Sequence, residues 1–277
     1  MKAKEIRLNQ IIKQTYVLAY NENVAELTKA LASEGLNPTI QCESYSEVEL
    51  SYAKNTRTFI NHHSAWRRAA RHDGYTLICE SDFVPCVGLG SFPVFWPLED
   101  LLAWGYLYQG SPRLLALIGK PPYLRGHCAP LVAYVINSPV AKIFCEFFYN
   151  QMAQYDPQKY FTFDAHLQWF VMGRGANAFI PLKHYGEHGG LPNPEHRENK
   201  LPRAGRHRAD NLAANLYFRP QYARNSWITF LAVRIQARAL GLARLLSNRW
   251  VVETNVYNNG PMTKLKMYVI GLTRLLI

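Results

Sequence analysis

The stretch Tyr75-Thr-Leu-Ile-Cys-Glu-Ser-Asp82-Phe-Val-Pro85 decides the fold. Gly74 opens it, and the run from Tyr75 to Cys79 is apolar and rich in strand-favouring residues, so a short buried strand is predicted there. The strand runs straight into Glu80-Ser81-Asp82. Residues i and i+2 of an extended chain point the same way, so Glu80 and Asp82 aim together at the rim of a sheet. Open α/β sheets bind ligands beyond the carboxyl ends of their strands. Two hard oxygen donors there suit Mg²⁺ or Mn²⁺, which also hold phosphate oxygens. The plainer alternative is a strand ending in a polar turn, with Asp82 capping the next segment of chain.

Working outward, residues 14–20 (QTYVLAY) read as a first strand, 24–36 as a helix with an apolar stripe of Val24, Leu27 and Leu31, and 38–42 as a second strand. This β-α-β unit predicts a parallel pair. Residues 55–71 form a further helix, and the strand ending at Glu80 follows. The order β-α-β-α-β predicts an α/β domain: a mostly parallel central sheet with helices on both faces. Residues 83–97 are apolar but broken by Pro85, Gly88, Gly90, Pro93 and Pro97, which predicts a loop over the site. Beyond it, 98–108 reads as a helix, 113–119 and 129–136 as strands, 138–152 and 163–171 as helices, and 178–182 as a last strand. Residues 183–211 hold four histidines, paired glycines and no periodicity, which suggests a functional lid loop. From Arg224 to Trp250, Ile228, Leu231, Ile235, Leu242 and Leu246 recur at helical spacing beside arginines. Such a stripe packs on the domain or lies in a membrane interface. The chain therefore divides into a domain over 1–218 and a basic helical extension over 219–277.

The chain has 277 residues, enough for a full core, and 48% of them are hydrophobic. Its formal charge of +11 favours partners with phosphate groups or an anionic membrane surface. Five cysteines without a C-x-x-C pair read as free thiols in a reducing compartment. No secretory leader is visible after Met1, and no run of about 20 apolar residues suggests a spanning helix.

Asn61-His62-x-x-x-Trp66, followed by Tyr75-x-Leu-x-x-Glu80-x-Asp82, resembles the family 25 glycosyltransferases. Those enzymes build lipopolysaccharide and, in animals, glycosylate collagen. Asn61 stands where that family has Ser, and Ser81 replaces the middle acid of Glu-Asp-Asp. Residues 126–141 look like the family's later Gly…Ala-Tyr-x-Ile-x-x-x-x-Ala segment, and Phe163-Asp164 sits where an Asp often opens the next helix. The resemblance spans residues 14–182. It implies a GT-A-like fold that binds a nucleotide-sugar donor, with UDP favoured, and a metal held by an acidic motif.

On that resemblance Asp82 is the metal ligand, with His184 or His188 as a late histidine completing the site. Glu80 would bind the ribose or metal-bound water, and Tyr20 and Asn21 lie where the base would sit. Arg203, Arg206 and Arg208 could clamp the diphosphate, or be solvated cations. Asp164 is a helix cap or the general base toward an acceptor hydroxyl, with Glu187 as the alternative base. His62 and Trp66 share a helix face and read as core.

The leading expectation is a metal-dependent glycosyltransferase acting on a glycan or lipid-linked acceptor in surface polysaccharide or lipopolysaccharide biosynthesis. It would be cytoplasmic, peripheral at the inner membrane face. The alternatives are a phosphate- or nucleic-acid-binding protein without catalysis, or a degenerate transferase scaffold in which Ser81 has broken the acid triplet. No RRM, KH or helix-turn-helix signature supports nucleic acid.

Overall fold

A computed structural model describes residues 5–191, 195, 198, 199, 208–254 and 257–276. The chain begins α1 (Leu8–Ile11), β1 (Ile12–Ala19), α2 (Ala25–Ser33), β2 (Pro38–Cys42), α3 (Glu47–Leu50), α4 (Lys54–Ala69) and β3 (Tyr75–Glu80). It continues β4 (Phe83–Pro85), β5 (Ala103–Tyr106), β6 (Arg113–Ile118), β7 (Tyr123–His127), β8 (Ala133–Asn137), α5 (Ser138–Gln154), α6 (Phe163–Gly173), β9 (Asn177–Phe179) and β10 (Gly186–His188). Two long helices close it, α7 (Trp227–Leu246) and α8 (Pro261–Leu276).

Eight strands form one sheet in the order β2-β1-β3-β8-β5-β9-β7-β6. The α/β class is as expected, and β1 pairs with β2 and β3 in parallel. A third parallel pair joins β5 and β9, while the other four pairings are antiparallel. The parallel β2-β1-β3 end carries the site; the far end is built of antiparallel ribbons.

Strand periodicity splits the core in two. Tyr16, Leu18, Ile78, Tyr134 and Ile136 face Phe59 and Trp66 of α4 and Phe144 and Phe147 of α5. Their neighbours Val17, Ala19, Leu77, Cys79 and Val135 face the other side, with Leu27 and Leu31 of α2. Helices thus cover both faces.

Two expectations are corrected here. Residues 98–108 do not form a helix: Ala103–Tyr106 is a strand buried on both faces. Gly105 meets the Trp96 ring so closely that a Cβ would collide with it. Nor does 83–97 cover the site as a loop. Phe83, Val84, Leu89, Phe95 and Trp96 are core residues, and β4 pairs with β10 in its own small antiparallel sheet.

The C-terminal helices are amphipathic in an unusual direction. On α7 the Ala237, Gly241 and Leu245 side is buried, whereas Ile228, Leu231, Ile235, Leu242 and Leu246 are exposed. On α8, Met267, Gly271 and Arg274 are buried and Met262, Leu265, Val269, Leu272 and Leu276 are exposed. The stripe therefore does not pack on the domain. Among the described residues no helix is long and apolar enough to cross a membrane.

Candidate functional site

Beyond the carboxyl ends of β1 and β3 lies a cleft of about 520 Å³. The β1–β3 register sets Leu18 beside Glu80, so Tyr20 and Asp82 leave their strands at the same rim. Helix α6 reaches the opposite wall with its first turn, which carries Asp164. The third wall comes from β10: His188 pairs with Phe83, the residue after Asp82, and the Gly189 N–H donates to the Asp82 carbonyl at 2.7 Å. Tyr20, Glu80, Asp82, Asp164 and His188 are thereby brought together.

Asp82 Oδ2 and His188 Nε2 are 2.9 Å apart. Burial pushes the Asp82 carboxyl up, but His188 and then Arg208 outweigh it and hold the carboxyl below its usual value. Burial opposes the His188 imidazolium, yet Asp82 carries it above the ordinary histidine value. Asp82 Oδ1 and His188 Nδ1 are buried with no hydrogen-bond partner. Gly190 lies directly against the Asp82 carboxylate, where any side chain would clash.

Glu80 is positioned from behind. Its Oε1 lies 3.1 Å from His62 Nε2, and His62 Nδ1 is 2.8 Å from the Tyr134 hydroxyl, to which the Trp66 indole N–H donates at 2.6 Å. His62 and Trp66 are thus core residues, as read, but their network ends on a cleft carboxylate.

Asp164 is half-buried, and its Oδ1 accepts the Ala165 N–H at 2.8 Å. Thr162, not Asp164, is the cap residue of α6. Burial, with Glu80 adding, raises the Asp164 carboxyl from 3.8 to about 7. A base in that range matches proton transfer near neutrality.

Four sequence assignments are corrected. His184 is fully buried behind the site: Nδ1 accepts the Gln109 N–H at 3.2 Å, and Nε2 meets Asp210 at 2.9 Å and Arg274. With both nitrogens engaged it has no face for a metal. Glu187 is fully buried too, paired with Arg234 and accepting the backbone N–H groups of His188 and Ala209, so it cannot meet an acceptor hydroxyl. Asn21 does not line the cleft; its N–H donates to the Glu22 carboxylate. The lid reading of 183–211 fails for its described ends, where Tyr185, Glu187, Arg208, Asp210 and Asn211 are packed inside. Arg203 and Arg206 lie outside the described residues. Arg208 is spent on the carbonyls of His188 and Gly190 and stacks on Tyr222 at 4.0 Å.

Sequence reasoning missed Tyr45, Lys54 and Asn61. The Tyr45 ring lies 5.4 Å from that of Tyr20 at the rim, Lys54 opens α4 toward the cleft, and Asn61 ties the ends of β1 and β2 through Ala19 and Gln41 carbonyls. Asn61 was visible only as a substituted family position; nothing in the spacing pointed to the other two.

The cleft's chemistry bears on a metal. Among the described residues Glu22, Glu80, Asp82, Asp164 and Glu195 line it, against Lys54 and the His188 imidazole paired with Asp82. A diphosphate entering so acidic a cleft needs a cation to offset the repulsion. No group of three His, Cys, Asp or Glu gathers as a ready-made cage among the described residues. Mg²⁺ and Mn²⁺ sites commonly use one or two carboxylates, with phosphate and water completing the shell. Asp82, with its orphaned oxygen, and Glu80 fit that kind of site.

No protein-family model matches the sequence, and no curated protein matches it significantly. Among solved structures, one described as a glycosyltransferase involved in the glycosylation of the major capsid of PBCV-1 aligns over 61% of this chain and 81% of its own, at 12% identity and a TM-score of 0.38. A likeness this slight settles neither fold family nor activity, and it does not single out the family 25 enzymes.

Proposed function

We propose that the chain is a GT-A-like glycosyltransferase that moves a sugar from a nucleotide-sugar donor to a glycan or lipid-linked acceptor, as in surface polysaccharide or lipopolysaccharide assembly. One observation carries this reading: an acidic cleft at the ends of parallel strands joins Glu80 and Asp82 to a carboxyl, Asp164, raised to about 7. The donor base rests on Tyr20 and Tyr45, and its diphosphate lies toward Asp82, Glu80 and Lys54. Asp82, with Glu80, would hold a Mn²⁺ or Mg²⁺ ion, which would supply charge neutralisation for the leaving nucleotide. Asp164 takes the proton of the acceptor hydroxyl as its oxygen bonds to the anomeric carbon and the bond to the nucleoside diphosphate breaks. His62 holds the Glu80 carboxylate through that step.

Calorimetry with UDP, GDP and CMP, each with and without Mn²⁺, tests the reading. One nucleotide should bind in a metal-dependent manner, and Asp82→Ala should weaken it at least tenfold. Equal binding by that variant, or no binding by any nucleotide, overturns it.

We further propose that the enzyme works on an anionic membrane surface, on the cytoplasmic inner face. The two exposed apolar stripes of α7 and α8 support this, together with the exposed cations Arg238 and Lys266 on the same helices. Such helices lie in the interface plane, with cations at lipid phosphates.

A further inference from the structure

A second cavity backs onto the cleft. Ala129 and Ala165 line it, while their chain neighbours Pro130 and Asp164 line the cleft, so one thin wall separates the two. Its volume is also about 520 Å³. Its charge is opposite: Arg113, Arg244 and Arg249 line it, and no carboxylate does among the described residues. Arg244 donates to the carbonyls of Ser111 and Pro112 at 2.9 and 3.3 Å, which leaves its Nε buried with no partner. Burial, then Arg113, with Arg249 adding, holds its guanidinium below the usual value although Asp210 behind it pulls the other way. An anion would relieve that repulsion and take up the unspent donor. Trp169 forms one side of the cavity, 49% exposed, with its ring 5.7 Å from His127. Burial holds His127 neutral, at about 3, so it adds a polar edge and no charge near neutral pH.

We propose that this cavity is the acceptor subsite and that it takes a saccharide carrying a phosphate or a carboxylate. This rests on the reading of the neighbouring cleft as the donor site. Guanidinium forks match the geometry of both oxyanions. The exposed indole face covers the apolar face of a sugar ring while its edge stays wet. An acceptor anchored here by its anion extends a hydroxyl over the wall to Asp164, the carboxyl next in the chain to Ala165. Donor and acceptor are then sorted by charge: the acidic cleft admits its diphosphate only with a cation, and the basic cavity takes a bare anion.

The test uses the full chain without nucleotide, titrated with glucose 6-phosphate, glucuronate, glucose and inorganic phosphate and followed by tryptophan fluorescence. Both anionic sugars should give a saturable change that glucose does not give and that Trp169→Phe abolishes. The double variant Arg113→Gln/Arg249→Gln should weaken their binding at least tenfold; both side chains are exposed, so its thermal unfolding should match the parent. No saturable response, or an unchanged response in the double variant, overturns the proposal. Inorganic phosphate binding as tightly as the sugars would reduce the cavity to a bare anion site and also overturn it. Nucleotide binding measured separately keeps the two readings apart: sugar-phosphate binding without any nucleotide binding would sink the donor cleft and with it the acceptor role, leaving only the binding of anionic sugars.

Discussion

Asp164→Asn should make the protein more stable and the proposed transfer slower. The folded carboxyl is raised to about 7, whereas an unfolded Asp titrates near 3.8. Between those values the folded state binds the proton more tightly than the unfolded state does. Unfolding then releases a proton, so stability falls as pH rises through that window. The shift is about three units at about 1.4 kcal/mol each, so the cost is of order 4 kcal/mol once pH exceeds 7, and about 2 if the half-buried site relaxes. Asn carries no charge and avoids the cost. Urea unfolding of both proteins from pH 4 to 8 gives the curves, and their difference cancels every other titrating group. The curves should nearly meet at pH 4 and separate by about 2–4 kcal/mol at pH 8, with the variant higher. Turnover, once a donor is known, should fall by about 10²- to 10⁴-fold. Parallel stability curves would refute the raised carboxyl, and a turnover loss of no more than about twofold would refute its role as base.

Gly190→Ala should push the Asp82 carboxylate aside and weaken metal-dependent nucleotide binding about tenfold, with the melting temperature as control; unchanged binding would show that Asp82 can move freely. His62→Ala should release Glu80 and lower nucleotide affinity severalfold by calorimetry, an effect that a core histidine unconnected to the site would not have. Arg274→Met leaves the buried Asp210 without its guanidinium partner, with only the neutral His184 beside it, and should cost about 3–5 kcal/mol in chemical denaturation. Ile235→Asp with Leu265→Asp, at positions 71% and 58% exposed, should leave the fold intact and stop sedimentation with anionic vesicles at low salt. If the parent chain ignores such vesicles, the membrane claim fails. Point changes suit this test better than truncation at Arg219, because a shortened chain loses Arg234 and Arg274 and strands Glu187 and Asp210 as buried charges.

The first half of the fold was legible because its signals are local. Apolar periodicity marked β1, α2, β2, α4 and β3, and the i, i+2 spacing of Glu80 and Asp82 aimed both at one rim. The second half was not. Residues 98–108 carry leucines at helical spacing, yet burial between two core faces made Ala103–Tyr106 a strand. His184 and His188 look alike in the sequence. Only the β4–β10 pairing turns one toward Asp82, while the other is claimed by Asp210 and by Arg274, 90 residues away. Glu187 resembled a free loop acid until Arg234, 47 residues later, was seen to neutralise it. Buried charges take partners that no sequence spacing announces.

Arg274 also dictates an order of events. It holds Asp210, 64 residues earlier, and His184, 90 residues earlier, from the last turn of α8. During synthesis those two groups leave the ribosome long before their cation exists. The parallel β2-β1-β3 end can assemble on the nascent chain from near neighbours, with contacts that close early. Until α8 docks, Asp210 and His184, behind the segment that brings His188 to Asp82, lack the guanidinium that holds them. A ribosome stalled before α8 should therefore carry a chain whose parallel strands are formed while Asp210 still lacks its guanidinium, and cleavage by added protease near Asp210 should fall once α8 has emerged.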